Sequence, residues 1–546
     1  MDILDVLESN ANLYPDKSVY RFLDKDEVVS EQLSYRQLNT EIAGISSQLR
    51  LMYPSGARVL VLLPAEAAFI RSFLALLHAG LIAVPCPIGY SESGIGRILN
   101  IIDDCEPVAL ITNRKTHKML LQRQNNATKA LSAAVVDWLF SDDLAETPPP
   151  FSSGKIEREV GSIAYLQYTS GSTSRPKGVM VSHANLIANL SAINHCFGRT
   201  AADTSVTWLP HYHDMGLVDG LLSPLFTGGT GVVISPLVFV SKPFLLLRAI
   251  SEYRAGFCGG PGFGLDHCVS RIAPELLESI DLRSLQVLYV GAEPIRISSL
   301  ERFAERMRSV GFRRESLVPA YGLAEATLAV SLHYHGQPLN YQRRAGINEK
   351  EVVACGPPVE NTLVMIVDPV SMEAKQAREI GEIWVKNNAV ALGYWQNEAA
   401  TSATFGAFTR EGIGPFLRTG DLGFLDQGEL FITGRAKEVI IIRGVNYYPQ
   451  DIEEIVSECH ESIQPNASAA FSVETEEGEA LMIVSEIKRD AAPEERIKHQ
   501  VAQSIGLAFG LLVHQVVLLP PGKLPKTSSG KIQRLKAREI WAENCV

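Results

Sequence analysis

The sequence predicts an α/β protein: a large N-terminal domain of layered α/β sheets with a β-rich subdomain, then a small, mobile α+β C-terminal domain. Three observations predict it. Short apolar runs of β type alternate with helical stretches through most of the chain, the pattern of layered, mainly parallel sheets. The 546 residues exceed what one hydrophobic core serves, so two or more domains are expected. Past residue 435 the pattern becomes a compact set of strands and helices of a size able to fold alone.

The elements follow in order. Residues 1–8 are acidic and amphipathic, unlike a signal peptide. Residues 59–63 and 83–85 read as strands flanking a helix over 66–78. Pro64, Glu66 and Arg71 interrupt this apolar region, which therefore reads as buried strand, helix and strand and not as a membrane span. A strand is expected at 108–112, a loop at 148–154 and a strand at 163–167. A helix opened by Ser182 and running through Leu186 and Leu190 is expected next. Residues 231–234, 286–289 and 363–367 are further strands, and 416–423 close the β-rich section. Strands at 439–442 and 481–487 and helices at 451–459 and 493–505 make up the last unit. The boundary falls at residues 435–437, giving domains 1–435 and 436–546 joined by a short polar linker able to hinge.

Composition narrows the function. Charged residues are 20% of the chain and hydrophobic ones 46%, an ordinary globular balance. The formal charge of −11 argues against a nucleic-acid surface as the main business of the protein. The eight Cys form no C-x-x-C pair and read as reduced structural thiols of a cytosolic protein.

The segment Tyr168-Thr-Ser-Gly-Ser-Thr-Ser-Arg-Pro-Lys-Gly178 packs hydroxyls, glycines and two cations into eleven residues. Small residues let backbone N–H groups approach an anion, hydroxyls add donors and Lys177 adds charge, which suits a polyphosphate. Pro176 stands where a Walker A loop needs Gly before Lys, which disfavours a P-loop ATPase. Four further motifs follow. Val290-Gly-Ala-Glu-Pro294 follows a strand. Tyr321-Gly-Leu-Ala-Glu-Ala-Thr327 offers an aromatic face and a carboxylate. Leu417-Arg-Thr-Gly-Asp-Leu-Gly423 puts a carboxylate in a Gly-flanked turn. Pro525-Lys-Thr-Ser-Ser-Gly-Lys-Ile-Gln-Arg534 carries Lys531 behind a flexible stretch. Taken singly, Asp421 reads as a turn residue and Lys531 as a solvated lysine.

In this order and spacing the five motifs resemble the adenylate-forming superfamily of acyl-CoA synthetases, luciferases and peptide-synthetase adenylation domains, over nearly the whole chain. Three more stretches resemble its fatty acyl-AMP ligase branch: Trp208-Leu-Pro-His-Tyr-His-Asp-Met-Gly-Leu217, Gly259-Gly-Pro-Gly-Phe-Gly264 and Arg443-Gly-Val-Asn-Tyr-Tyr-Pro-Gln-Asp-Ile-Glu453. Such enzymes adenylate a fatty acid with ATP and Mg2+, release pyrophosphate and pass the acyl group to a carrier-protein phosphopantetheine.

The resemblance implies roles position by position. Thr169, Ser170, Gly171, Ser172, Thr173 and Lys177 hold the β- and γ-phosphates. Gly291, Ala292 and Glu293 border adenine, and Tyr321 stacks on it within the turn Gly322, Leu323, Ala324. Asp421 accepts from both ribose hydroxyls, and Arg435 touches ribose or phosphate. Glu325 and Thr169 hold Mg2+. Lys531 bridges the fatty carboxylate and the α-phosphate. His213 stands near the acyl carboxylate or as a plain structural histidine, with Met215, Gly260 and Phe263 toward the acyl group. Phe263 and Leu265 also read as core. Lys437 matches the hinge. No G-x-S-x-G elbow occurs, as expected for a reaction that joins two anions without a protein nucleophile.

Two features depart from the superfamily. Ala324 replaces the usual Thr, as in the acyl-AMP ligase branch. Residues 333–355 stand where that branch carries an extra segment thought to obstruct CoA, and they are fewer than usual. No Asp-Ser-Leu or Asp-Ser-Met carrier signature occurs, so the acyl carrier protein acts in trans. An acyl-CoA synthetase and a catalytically silent nucleotide- or lipid-binding relative remain as alternatives, with chain length and oligomeric state open.

Overall fold

The computed structural model describes all residues except 27, 123–124, 136, 145–160, 169–175, 344–350, 443–444, 476–477, 490, 528–529 and 543–546. Two sheets form the base of the large domain. The first has eight strands, in the order Ala329–Leu332, Leu317–Gly322, Val287–Val290, Phe257–Gly260, Thr204–Thr207, Thr230–Ile234, Ser18–Leu23, Val29–Ser34. Its six inner strands run parallel and its two edge strands antiparallel. The second has six strands, with Arg58–Val61, Ile82–Pro85 and Ala109–Thr112 parallel at its heart. Such strands are covered on both faces, which is why they read as unbroken apolar runs.

One expectation is corrected here. The strand Ile163–Tyr168 does not lead through the Ser/Gly loop straight into a helix. A strand, Gly178–Ser182, pairs with it antiparallel first. Only then does Ser182 cap the helix His183–Phe197, its hydroxyl accepting from the Asn185 N–H at 3.1 Å. The Ser/Gly segment therefore joins two strands of a hairpin and is not attached to a helix N-terminus. Its residues 169–175, including Thr169, Ser170, Gly171, Ser172 and Thr173, lie outside the described residues.

The β-rich part is a four-stranded antiparallel sheet, Leu363–Val367, Gly381–Lys386, Leu417–Asp426, Glu429–Arg435. A hairpin of Tyr341–Arg343 and Glu351–Val353 is fastened to it. The Asn340 amide donates to Glu429 and the Gln342 amide to Asp426, and the Cys355 N–H donates to the Leu430 carbonyl at 2.8 Å.

Beyond Arg435 the chain makes one turn, Ala436–Glu438, and enters a three-stranded sheet, Ile463–Thr475, Gly478–Ile487, Val513–Leu519. The helices Pro449–Cys459 and Glu494–Phe509 cover one face, burying Ile452, Val456, Ile497 and Val501 in an apolar cluster made only of residues from this C-terminal part. Arg534 ties the part together. Its guanidinium reaches Glu453 at 2.6 and 2.7 Å and Glu438, in the linking turn, at 2.5 Å. Asn466 meets the large domain, accepting from Arg296 at 2.8 Å and donating to Asp266 at 3.3 Å. Among the described residues no helix is long and apolar enough to cross a membrane.

Candidate active site

A cavity of about 2200 Å³ runs along the edge where the parallel strands of the eight-stranded sheet end, continues under the four-stranded sheet and is closed by the C-terminal part. Strand ends of this kind leave loop backbone and side chains free to face a ligand. Tyr321 and Asp421 come from different sheets and meet there: the Tyr321 hydroxyl donates to Asp421 Oδ2 at 2.9 Å. Asp421 stands opposite Arg435 in the strand register, and Arg435 Nε donates to its Oδ1 at 2.8 Å. Asp421 is 6% exposed, so this contact pairs a carboxylate with a guanidinium in a shielded place. Gly291, Ala292 and Glu293 border the same space, as do Gly322, Leu323 and Ala324. Ala292 has a φ of 68°, a strained conformation for a residue with a Cβ.

Glu325 and Lys177 converge on one tyrosine. The Tyr394 hydroxyl donates to Glu325 Oε1 at 2.9 Å, and the Lys177 ammonium stands 4.6 Å from the Tyr394 ring centre, over its face. Burial pushes the Glu325 carboxyl above its ordinary value, and the Tyr394 hydrogen bond opposes this. Glu293 is raised by burial as well, opposed by the Phe263 N–H that donates to it at 2.8 Å and by Lys531.

Lys531 reaches the cavity on a tight loop. Lys526 and Ile532 pair across it, the Lys531 N–H donates to Thr527 Oγ1 at 3.0 Å, and Gly530 takes a φ of 86°. A Cβ on Gly530 would come within 3.4 Å of the Phe263 ring, so the loop lies against that side chain. Burial pushes the Lys531 ammonium below its ordinary value, against the pull of Asp214, Glu293 and Asp421. Asp214 is buried, yet the His213 imidazole 2.6 Å away and Lys531 hold its carboxyl low.

His213, Met215 and Phe263 line the cavity. Gly260 does not join them. It backs onto Trp208, whose ring would lie 2.6 Å from a Cβ there. Leu265 is buried in the apolar core. Lys437 sits in the linking turn and faces the cavity. Among the described residues no group of three or more His, Cys, Asp or Glu side chains is disposed to hold a metal ion. Sequence reasoning missed Tyr394 and the charge role of Asp214. Tyr394 follows Gly393 in a loop with no periodic signal, and Glu325 and Lys177 lie 69 residues or more away from it.

An aromatic face beside a shielded carboxylate, a strained glycine-flanked turn and a lysine delivered by a second domain define an adenylate-forming enzyme. The description "AMP-binding enzyme" matches residues 7–395, and that of the Disco-interacting protein 2-like AMP domain matches 437–546. The medium-chain-fatty-acid–[acyl-carrier-protein] ligase JamA of Moorena producens is 38% identical, covering 99% of this chain and 95% of its own. A solved fatty acyl-adenylate ligase, from work on the E. coli and L. pneumophila enzymes, superposes with a TM-score of 0.88 at 31% identity, covering 100% of this chain and 98% of that one. The L. pneumophila ligase in complex with acyl adenylate and pyrophosphate gives 0.75 at 32% identity, covering 99% and 96%. The chain belongs to the AMP-binding enzyme family and, within it, to the fatty acyl-AMP ligases.

Proposed function

We propose that the protein activates a fatty acid with ATP, forms the acyl-adenylate and transfers the acyl group to the phosphopantetheine thiol of a separate acyl carrier protein in the cytosol. The observation that carries this reading is Lys531. It is a cation of the C-terminal part that stands near Asp214, Glu293 and Asp421 of the large domain, in a cavity that also presents Tyr321.

Asp421 has lone pairs for two ribose hydroxyls while Arg435 neutralises it. The Tyr321 ring offers a face to adenine. Lys177 meets the distal phosphates, together with the loop before it. Lys531 stands between carboxylate and α-phosphate and offsets their repulsion as a carboxylate oxygen attacks phosphorus and the bond to pyrophosphate breaks. His213, held by Asp214, faces the acyl carboxylate. Glu325 suits Mg2+, because its carboxylate is a hard oxygen donor inside the cavity. When bound, Mg2+ would draw charge from the phosphate oxygens. Domains 1–435 and 436–546 would then rotate about Lys437, withdrawing Lys531 so that a thiol reaches the acyl carbonyl and AMP leaves.

Transfer to a carrier protein rather than to CoA is supported by the name of the JamA relative and by the 341–353 hairpin, fastened to the β-rich sheet at the place of the branch's extra segment. ATP–pyrophosphate exchange across a panel of carboxylic acids tests the first step. Product analysis with CoA against a holo carrier protein tests the second. No exchange with any acid overturns the reading, and acyl-CoA formed as fast as acyl-carrier product returns the protein to the acyl-CoA synthetases.

A further inference from the structure

One part of the cavity lies between the eight-stranded sheet and the helix His183–Phe197, where apolar residues such as Ile193, Leu328 and Leu332 line it. Two of its lining residues break that pattern, Asp219 and Tyr289. Asp219 lies in the π-helical segment Met215–Leu222, one turn beyond Met215. Widened turns of this type are rare and concentrate at functional places. Tyr289 precedes the last residue of the strand Val287–Val290. Its ring occupies space that only a glycine leaves open, since a Cβ on Gly259 would approach it to 2.3 Å.

Asp219 is not a stray charge. Arg199, 1% exposed in its side chain, donates to Oδ1 at 2.6 Å and to Oδ2 at 3.2 Å. The guanidinium also lies against the Phe197 and Phe257 rings, at 5.3 and 4.7 Å from their centres. Its Nε has no hydrogen-bond partner among the described residues. A buried pair of this kind costs desolvation that apolar residues of the same volume would avoid, so packing does not account for it. Arg199 supplies two donors and the Tyr289 hydroxyl, hydrogen-bonded to Asp219, a third, which leaves one of the carboxylate's roughly four acceptor positions open. A ligand group that donates a hydrogen bond can use it from the cavity side.

Resting on the proposed acyl activation, we propose that Asp219, fixed by Arg199 and flanked by Tyr289, recognises a hydroxyl at the far end of the acyl chain, so that ω-hydroxy acids are preferred substrates. A methyl terminus at the same depth would cover the carboxylate without pairing with it, and an unmet polar group disfavours that complex.

The test is ATP–pyrophosphate exchange with the full-length enzyme over a length series of straight-chain acids, each with and without a terminal hydroxyl. At the best length the hydroxy acid is expected to exceed the plain acid in kcat/KM by about tenfold or more, the worth of a hydrogen bond to a charged group. The paired replacement Arg199→Met with Asp219→Leu, which leaves no charge unpaired, is expected to reverse the preference, and Tyr289→Phe to narrow it. Plain acids equal to or better than hydroxy acids at every length in the unaltered enzyme overturn the inference, whether or not the variants fold. So does a preference that survives the paired replacement. Exchange with plain acids alone leaves the acyl-activation reading standing, whereas no exchange with any acid removes that reading itself.

Discussion

Replacing Lys531 with alanine removes the cation around which Asp214, Glu293 and Asp421 are gathered. The carboxylate substrate and the α-phosphate would then meet across a cavity with an excess of negative charge. One electrostatic donor aimed at developing charge contributes about 100- to 1000-fold in rate, so Lys531→Ala should lower the exchange rate by about that factor, or roughly 3–4 kcal/mol. ATP affinity, which the proposed function assigns to Tyr321, Asp421 and Lys177, should change by less than about threefold. Pyrophosphate exchange at saturating acid, with ATP binding followed by calorimetry, measures both. The reaction needs the ammonium form, so activity is lost as pH rises through the folded pKa of Lys531. Burial puts that pKa below the ordinary 10.5. Asp214→Asn removes the anion that most supports the ammonium, so the alkaline limb should move further toward neutral pH. By the same linkage the docked loop binds fewer protons than the free one, and without ligand its docking strengthens as pH rises. A Lys531→Ala enzyme within about fivefold of the unaltered rate, or an alkaline limb that Asp214→Asn leaves in place, would refute this reasoning.

Three further outcomes are expected. Asp421→Asn should raise the KM for ATP by about ten- to a hundredfold, the range of a lost charge-assisted hydrogen bond, in ATP saturation curves; a change under about twofold contradicts its ribose role. Arg534→Ala leaves Glu453 and Glu438 without their cation in shielded positions, and should destabilise the C-terminal part by about 3–5 kcal/mol in urea unfolding followed by Trp541 fluorescence. Tyr394→Phe removes the donor that holds Glu325 down, so the Glu325 pKa should rise further. Mg2+ should then be needed at higher concentration toward the acid side of the pH profile, with little change at the alkaline side.

The elements were legible where burial imposes a plain pattern. Leu363–Val367 was read to the residue, and the helices Ala67–His78 and Pro449–Cys459 to within a residue or two, because each pairs an apolar period with a clear stop. The strand Gly178–Ser182 was not read. Its five residues end on the capping serine itself, and its partner Ile163–Tyr168 lies across a Ser/Gly-rich segment that carries no strand signal. The motif residues that face one cavity were found through their resemblance to a family. Residues acting through partners far along the chain were not, as Tyr394, Asp219 and the Asp214 charge illustrate. Gly260 shows the reverse error. A glycine beside a motif was expected at the ligand, while its freedom is used to admit Trp208.

The most direct measurement is mass spectrometry of an acid-quenched mixture of the enzyme, ATP, Mg2+ and a fatty acid, with no thiol acceptor present. The account predicts one fatty acyl-AMP per active site with the unaltered protein and a trace with Lys531→Ala. Fatty acyl-AMP at equal levels in both, or in neither, would contradict it.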